Sequence, residues 1–255
     1  ERRKQLIAYV GAVRAGEDSV KAWVDKVGEA PEVTQKKLHN FQLKGLLMDK
    51  DPPQKLPVAI TPMPESADDM LLEGQQLKNG VPEAQRAAVL ADVRADAAKH
   101  PGDRLSDLVL ARAEIELGDR ARAEPLLERR LKEDANDVEA RLLQAWSRMK
   151  DGDDAADFTK RDEFYRQADR ILVPALKVDA RDYRVLYAYA RSRSVEPGYP
   201  SENMVTVLDN AVALAPQVGT LRFAAAQANA DRDHFDAAVG LLQPLVGDPH
   251  NPGAA

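Results

Sequence analysis

One stretch, residues 101–137, constrains the fold more than any other part of the chain. It contains two amphipathic helical patterns, separated by a tight turn at Gly118 and Asp119 and followed by a polar corner at Ala135. Apolar residues recur at helical spacing on both sides of the turn, which is typical of two short helices packed face to face. The stretch therefore predicts a helix-turn-helix hairpin.

The corner that ends this hairpin recurs along the chain. Equivalent positions, each after the second helix of a pair, are Pro101, Ala135, Ala180, Pro216 and Pro249. Their spacing is close to the roughly 34 residues of a helix-turn-helix repeat, except that the interval from Ala135 to Ala180 is about ten residues longer. Residues 150–161 lie where a tight turn belongs, so we expect them to be an insertion in that loop.

Small and apolar residues recur in the same phase. The first helix of successive pairs carries an alanine at one position, and the second helix carries an alanine and then a leucine four residues later. The first-helix alanines are Ala111, Ala145, Ala190 and Ala226; the second-helix residues are Ala123, Ala168 and Ala238, with Leu127, Leu172, Leu208 and Leu242. Alanine at these places predicts close helix crossings, at the usual 8–10 Å or so between axes.

On these positions, residues 66–250 resemble the tetratricopeptide repeat (TPR) family. The chain departs from the family pattern at Asp233, where the turn glycine is usual, and at Ala135 and Ala180, where proline is usual. The resemblance implies an all-α fold: a right-handed superhelix of TPR-like helix-turn-helix repeats, preceded by a small helical segment. It also implies a protein or peptide partner on the concave face.

The first 65 residues do not follow the repeat. Helices are expected over 2–15, 19–27 and 31–46, with Val33, Leu38, Phe41 and Leu43 on the inward side of the third. Five prolines in 50–65 disfavour a helix there, although 58–61 could pair as a strand. We therefore predict an N-terminal helical segment (1–49), a proline-rich linker (50–65) and a repeat array (66–250).

The N-terminal segment weakly resembles the end of a bacterial gluzincin-type zinc peptidase domain, a domain that can precede such repeats. The similar parts are the run from Leu6 to Val10, Ala22-Trp23 and Val27-Gly28. The zinc-binding His-Glu-x-x-His motif of that family does not occur here, so no catalytic residue is carried over. The resemblance implies the non-catalytic C-terminal part of a longer exported protein, in the periplasm or cell envelope rather than the cytoplasm.

Composition narrows the function classes. A net charge of −6 and a pI near 5.4 argue against a nucleic-acid partner. Without cysteine there are no disulfides or thiolate metal sites, and no apolar run reaches the about 18 residues of a membrane-spanning helix. The four histidines lie far apart, and no phosphate-binding loop or nucleophile motif occurs. We expect no catalytic residue, no metal and no cofactor.

Two charged runs are given plain structural interpretations. Asp151-Gly152-Asp153-Asp154 suggests a calcium loop, but Ala155 and Ala156 follow where an EF-hand needs an oxygen ligand and glycine. We therefore interpret it as a solvated acidic loop. The run 128–133 is interpreted as a solvated helix face with intrahelical ion pairs.

The candidate binding residues come from repeat geometry. In such superhelices one position of each first helix points into the groove, and here it holds Arg112, Trp146, Arg191 and Gln227. Neighbouring groove positions hold Leu108, Leu142, Met149, Lys150, Tyr187 and Phe223. Arginine and aromatic side chains are typical peptide anchors. The alternative is that Trp146 and Tyr187 pack between repeats and that Arg112 and Arg191 are ordinary surface residues.

Two functions follow from the sequence. The first is a non-catalytic scaffold that binds a peptide or partner protein through the concave face, with Arg112, Trp146, Lys150, Tyr187, Arg191, Phe223 and Gln227 as the peptide-binding residues. The alternative is a regulatory or substrate-presenting C-terminal domain of an exported bacterial metallopeptidase, whose N-terminal catalytic domain is a further partner. No motif in the sequence supports enzymatic activity of this chain.

Overall fold

The computed structural model describes residues 2–47 and 61–246, with side chains for 2–40 and 61–246. The chain divides into two compact units, 1–61 and 62–255. Within the described ranges, no helix combines the length and the apolar character needed to span a bilayer. The expected strand at 58–61 lies, apart from Thr61, outside the described residues, as does the corner at Pro249.

The first unit contains the three expected helices: α1 (Arg2–Arg14), α2 (Ser19–Val27) and α3 (Pro31–Leu47). The Asp18 carboxylate caps α2 by accepting hydrogen bonds from the Val20 and Lys21 amides. Tyr9 and Trp23 meet edge to face, with ring centroids 4.9 Å apart, and this contact joins α1 to α2.

The inward set predicted for α3 is wrong where the structure describes it. Val33 and Leu38 are 45% and 58% exposed, because α3 packs only slightly on α2 while α1 and α2 pair closely. The side chains of Phe41 and Leu43 lie outside the described residues.

The described part of the second unit, up to residue 246, forms five successive helix pairs. Its helices are α4 (Ala67–Asn79), α5 (Arg86–Ala97, after a 3-10 turn at Glu83–Gln85), α6 (Arg104–Leu117), α7 (Arg120–Glu133), α8 (Val138–Asp153), α9 (Phe158–Val178), α10 (Tyr183–Ser192), α11 (Glu202–Leu214), α12 (Gly219–Ala230) and α13 (Phe235–Val246). The predicted pairs and corners are confirmed up to Pro216. The second helix expected over 82–100 is shorter, since its first turn is 3-10 and it ends at Ala97.

The core lies along the contacts between successive helices. Ala111, Ala145 and Ala190 in the first helices, and Ala123 and Ala168 in the second, have no exposed surface. A larger side chain at any of these places would push neighbouring backbones apart. The prediction that alanine marks the close crossings is confirmed.

The predicted loop insertion at 150–161 is wrong. Helix α8 continues through Asp153 and α9 begins at Phe158, so only residues 154–157 connect them. The additional residues therefore lengthen both helices, whose backbone groups are then hydrogen-bonded and whose side chains pack on each other. Gly152 permits the close approach, because a Cβ atom there would lie 2.9 Å from the Tyr165 ring.

Both charged runs also need correction. Arg120 donates hydrogen bonds to Asp151 and to Asp154, each at 2.6 Å, so these acids are paired with a cation and not simply solvated. In the 128–133 run, Arg130 is buried, with its Nε 2.8 Å from Oδ2 of the buried Asp107 on α6. The expected intrahelical pair is present between Arg130 and Glu133, and the other charged residues of the run are exposed as expected. Arg130 alone departs from the interpretation, because it is buried and also meets an acid of the adjacent helix.

Candidate functional site

The inner face of the repeat array forms a groove of about 730 Å³. Five first helices contribute to it, because each repeats the same orientation toward the concave side. Its lining residues are Gln75, Lys78, Arg112, Glu116, Leu142, Leu143, Trp146, Lys150, Tyr183, Arg184, Tyr187, Val218, Thr220 and Leu221. The lining thus combines aliphatic, aromatic and charged side chains.

Aromatic side chains occupy the centre of the groove. The rings of Trp146 on α8 and Tyr187 on α10 lie 6.0 Å apart between centroids, tilted by 43°. The Arg191 guanidinium stacks over Trp146, with Cζ 5.0 Å from the ring centroid, and its Nη2 donates to Asp153 Oδ2 at 2.7 Å. Both rings are half-buried, so they pack between repeats and still present a face to the groove.

Ion pairs hold most of the groove cations in place. Arg112 donates to Glu139 Oε1 at 2.9 Å, and Lys150 donates to Glu116 Oε2 at 2.8 Å. Arg184 bonds both Asp182 and Glu139, and its pKa is raised mainly by the bond to Asp182. The Glu139 carboxylate is thus shared between an arginine on α6 and one on α10.

Four of the predicted binding residues meet in this groove: Arg112, Trp146, Lys150 and Tyr187. Arg191 and Gln227 instead line an adjoining pocket of about 200 Å³, in which Tyr187 also takes part. Phe223 lines neither cavity and is 61% exposed, and Met149, also proposed for the groove, is fully buried in the core. Trp146 packs against the cluster that includes α10, as the structural explanation expects, and it also lines the groove.

Several lining residues were missed in the sequence. Glu116 follows Arg112 by four positions, and Tyr183 precedes Tyr187 by four. Positions four apart lie on the same helix face, so extending each repeat position by one turn identifies Glu116 and Tyr183. Lys78 lies 34 positions before Arg112, so extending the repeat position by one pair identifies it as well. No comparable signal identifies Arg184 as a groove residue.

A second feature of the array is a pair of carboxyl groups between α4 and α5. One carboxylate oxygen of Glu73, Oε2, is buried without a hydrogen-bond donor. Burial, a shared hydrogen bond with Asp96 and the nearby charges of Asp96, Asp92 and Asp69 raise the pKa of Glu73 to about 7. The pKa of Asp96 is lowered, chiefly by its bond to Lys99.

We expect Glu73→Gln to stabilise the protein at alkaline pH. Because the native pKa exceeds that of the unfolded chain, the folded state holds a proton between about pH 4.5 and 7, and stability falls as pH rises through that window. The glutamine removes this penalty, which is worth about 1–2 kcal/mol at pH 8 after allowance for solvent screening, and changes little at pH 4. Urea unfolding at both pH values measures the difference.

The matched control is Glu65→Gln, since Glu65 is an exposed glutamate just before α4. It is expected to leave the pH profile unchanged. A Glu73→Gln variant equally stable to wild type at pH 8 would show that Glu73 ionises without cost.

Within residues 2–47 and 61–246, no group of three or more histidine, aspartate or glutamate side chains is arranged to bind a metal ion.

The repeat array is similar to solved tetratricopeptide repeat structures. TTC0263, a thermophilic TPR protein from Thermus thermophilus, aligns with a TM-score of 0.61 at 16% identity, over 73% of this chain and 93% of that one. MamA from Desulfovibrio magneticus RS-1, from residue 41 onward, aligns with a TM-score of 0.48 at 16% identity, over 75% and 99%. No protein-family model and no curated protein matches the chain. The match to TTC0263, together with the helix pairs, defines a TPR-like helical repeat fold.

Proposed function

We propose that the repeat array is a non-catalytic scaffold that binds an extended segment of a partner protein along its concave groove. The observation that carries this proposal is the half-buried Trp146–Tyr187 pair at the centre of a groove lined by five helices. Rigid aromatic side chains that keep one face open are the residues on which peptide binding energy concentrates. An apolar or aromatic side chain of the partner would pack against this pair.

The charge of the groove favours an acidic partner segment. The chain carries a net charge of −6, yet the groove lining includes Lys78, Arg112, Lys150 and Arg184 and only one acid, Glu116. Three carboxylates bond these cations: Glu139 is shared by Arg112 and Arg184, Asp182 also bonds Arg184, and Glu116 bonds Lys150. The cations of the lining thus exceed their carboxylate partners by one, and a partner carboxylate would meet a net positive surface. We therefore expect binding that weakens as ionic strength rises.

The test is a peptide array followed by affinity measurement on the best binder. Trp146→Ala is expected to weaken binding about 30-fold, the loss typical of a central aromatic anchor at about 2 kcal/mol. Arg191→Glu is expected to weaken it as well, because it breaks the stack on Trp146 and adds a negative charge beside the groove. Fluorescence anisotropy gives the dissociation constants.

The matched control is Phe158→Ala, which truncates an aromatic side chain that is 76% exposed on α9 and lines no part of the groove. Circular dichroism melts show whether each variant is folded at the assay temperature. Unchanged peptide binding by folded Trp146→Ala and Arg191→Glu variants would reject the groove as the site.

The alternative function is a regulatory or substrate-presenting domain of an exported metallopeptidase. The observation that favours it is the apolar surface on α1, where Leu6, Ile7 and Val10 are 51%, 63% and 41% exposed. A face of this kind suits packing against another domain. A peptidase assay on the natural full-length protein, with and without residues 66–250, tests it; equal rates on folded protein substrates would rule it out.

A further inference from the structure

Glu139 lies where two cavities of the inner face meet. It lines a cavity of about 380 Å³ beside the groove, and Arg112 and Arg184 line both. Its two carboxylate oxygens accept from different helices: Oε1 from Nη2 of Arg112 on α6, at 2.9 Å, and Oε2 from Nη1 of Arg184 on α10. The Glu139 side chain, in the first turn of α8, is 19% exposed. One largely buried carboxylate thus connects three successive first helices at the wall of the groove.

The two arginines differ in how firmly they are held. Arg184 also donates from Nε and Nη2 to Asp182, so its guanidinium is fixed on two sides. The bond from Arg112 to Glu139 uses a single N–H group of the guanidinium, so the other N–H groups can donate to a ligand in the groove. Because both cations lie against one carboxylate, that carboxylate also offsets their mutual repulsion.

We propose that Glu139 is a positioning residue for the binding of an acidic side chain: it orients Arg112 and Arg184 so that their remaining N–H groups meet a carboxylate of the bound segment. This inference rests on the function proposed for the groove and names the residue that sets its preference for acids. Side chains that are already ordered lose less conformational entropy on binding, and this gain does not depend on salt. The repulsion between Glu139 and the ligand, in contrast, is screened by solvent and ions. An acid of the groove wall therefore strengthens the binding of another acid.

Glu139→Gln separates positioning from net charge, because the two predict changes of opposite sign. If net charge alone decided the affinity, removing an acid from the groove wall would tighten the binding of an acidic peptide. We expect instead that Glu139→Gln weakens binding of the best acidic peptide from the array about fivefold at physiological ionic strength, the loss typical of ordering one further side chain. The reason is that glutamine offers its oxygen to one arginine and turns its amide N–H groups toward the other. Fluorescence anisotropy measures the dissociation constants.

The matched control is Glu116→Gln, which removes an acid that bonds one groove cation, Lys150. It is expected to bind the acidic peptide at least as tightly as wild type does, because an ammonium acts as a point charge that needs no fixed orientation. Arg112→Lys provides a second variant should Glu139→Gln be unfolded at the assay temperature. It keeps the charge and removes the oriented guanidinium, so weaker binding of the acidic peptide is expected.

A neutral peptide distinguishes positioning from a general change in the groove. It has the sequence of the best binder with each acidic residue replaced by glutamine. Glu139→Gln and wild type are expected to bind this peptide equally, since it presents no carboxylate to the arginines. A distorted groove would weaken the binding of both peptides alike.

Two results would overturn the inference. The first is binding of the acidic peptide to folded Glu139→Gln that is as tight as, or tighter than, its binding to wild type. The second is an equal loss of affinity for the acidic and the neutral peptide. Neither result bears on the groove as a binding site, because Trp146→Ala tests that function separately.

Discussion

Asp107→Asn is expected to lower the free energy of unfolding by about 3 kcal/mol. The Asp107 carboxylate is 4% exposed and lies between two arginines of α7: Arg129, whose Nε donates to Oδ2 at 3.0 Å, and Arg130. Arg130 is itself 4% exposed. Its Nε lies 2.8 Å from the carboxylate but lacks a well-aligned hydrogen bond, so the contact is chiefly between charges.

Asparagine keeps the shape and removes the charge, which leaves the Arg130 guanidinium buried beside a neutral group. Arg130 retains Glu133 as a partner, and this sets the loss at the lower end of the range for broken buried pairs. Urea denaturation followed by circular dichroism measures it.

The matched control for Asp107 is Glu163→Gln on α9. Glu163 also serves two arginines, Arg166 and Arg170, but its side chain is 47% exposed. Exposed pairs of this kind contribute at most about 1 kcal/mol. Equal losses in the two variants would mean that burial of the Asp107 pair has no energetic weight.

Leu172→Ala is expected to cost about 2–5 kcal/mol, as for other fully buried leucines. Leu172 has no exposed surface and lies in the cluster formed by α8, α9 and α10, at the recurring leucine position of the second helices. Neighbouring helices approach closely at alanines and cannot move inward to fill the cavity, so little of the loss is recovered. Thermal and urea unfolding both measure this loss of stability.

Leu72→Ala provides the comparison, because Leu72 on α4 is 80% exposed. The same deletion of side-chain atoms there removes almost no buried surface and is expected to change stability by less than about 0.5 kcal/mol. A large effect at Leu72, or a small one at Leu172, would contradict the assignment of the core.

The helix pairs could be predicted from sequence because their signals are local. The alanines at the crossings, the leucine that follows them, and turn residues such as Gly118 each act through neighbours within one hairpin. Even the departure at Asp233 is accommodated locally, since it adopts a left-handed conformation with φ of +61°, which aspartate tolerates better than most residues.

Side-chain partners across helices could not be predicted, because they depend on how far each helix is shifted along the next. The repeat interval aligns Arg184 with Glu139, 45 positions away, but it does not indicate that the two side chains bond. Arg130 lies beside Asp107 at a spacing that corresponds to no repeat interval. The repeat positions predicted that Trp146 and Tyr187 line the groove, and the structure places both there. Phe223 holds the repeat position that corresponds to Tyr187, yet it is exposed and lines no part of the groove.

The long α8–α9 hairpin shows that one helix pair of the array can be longer than the others without a change in how the pairs stack. Ala145 and Ala168 are 23 positions apart, while Ala111 and Ala123 are 12 apart, so the additional residues all lie beyond the crossing. Most of them lie in α9, which has ten residues before Ala168 where α7 has three before Ala123, so α9 reaches about 10 Å further from the crossing at about 1.5 Å per residue. Since the crossing keeps its phase, the tip is a place where evolution, or a protein engineer inserting a tag, can alter length without redesigning the stack.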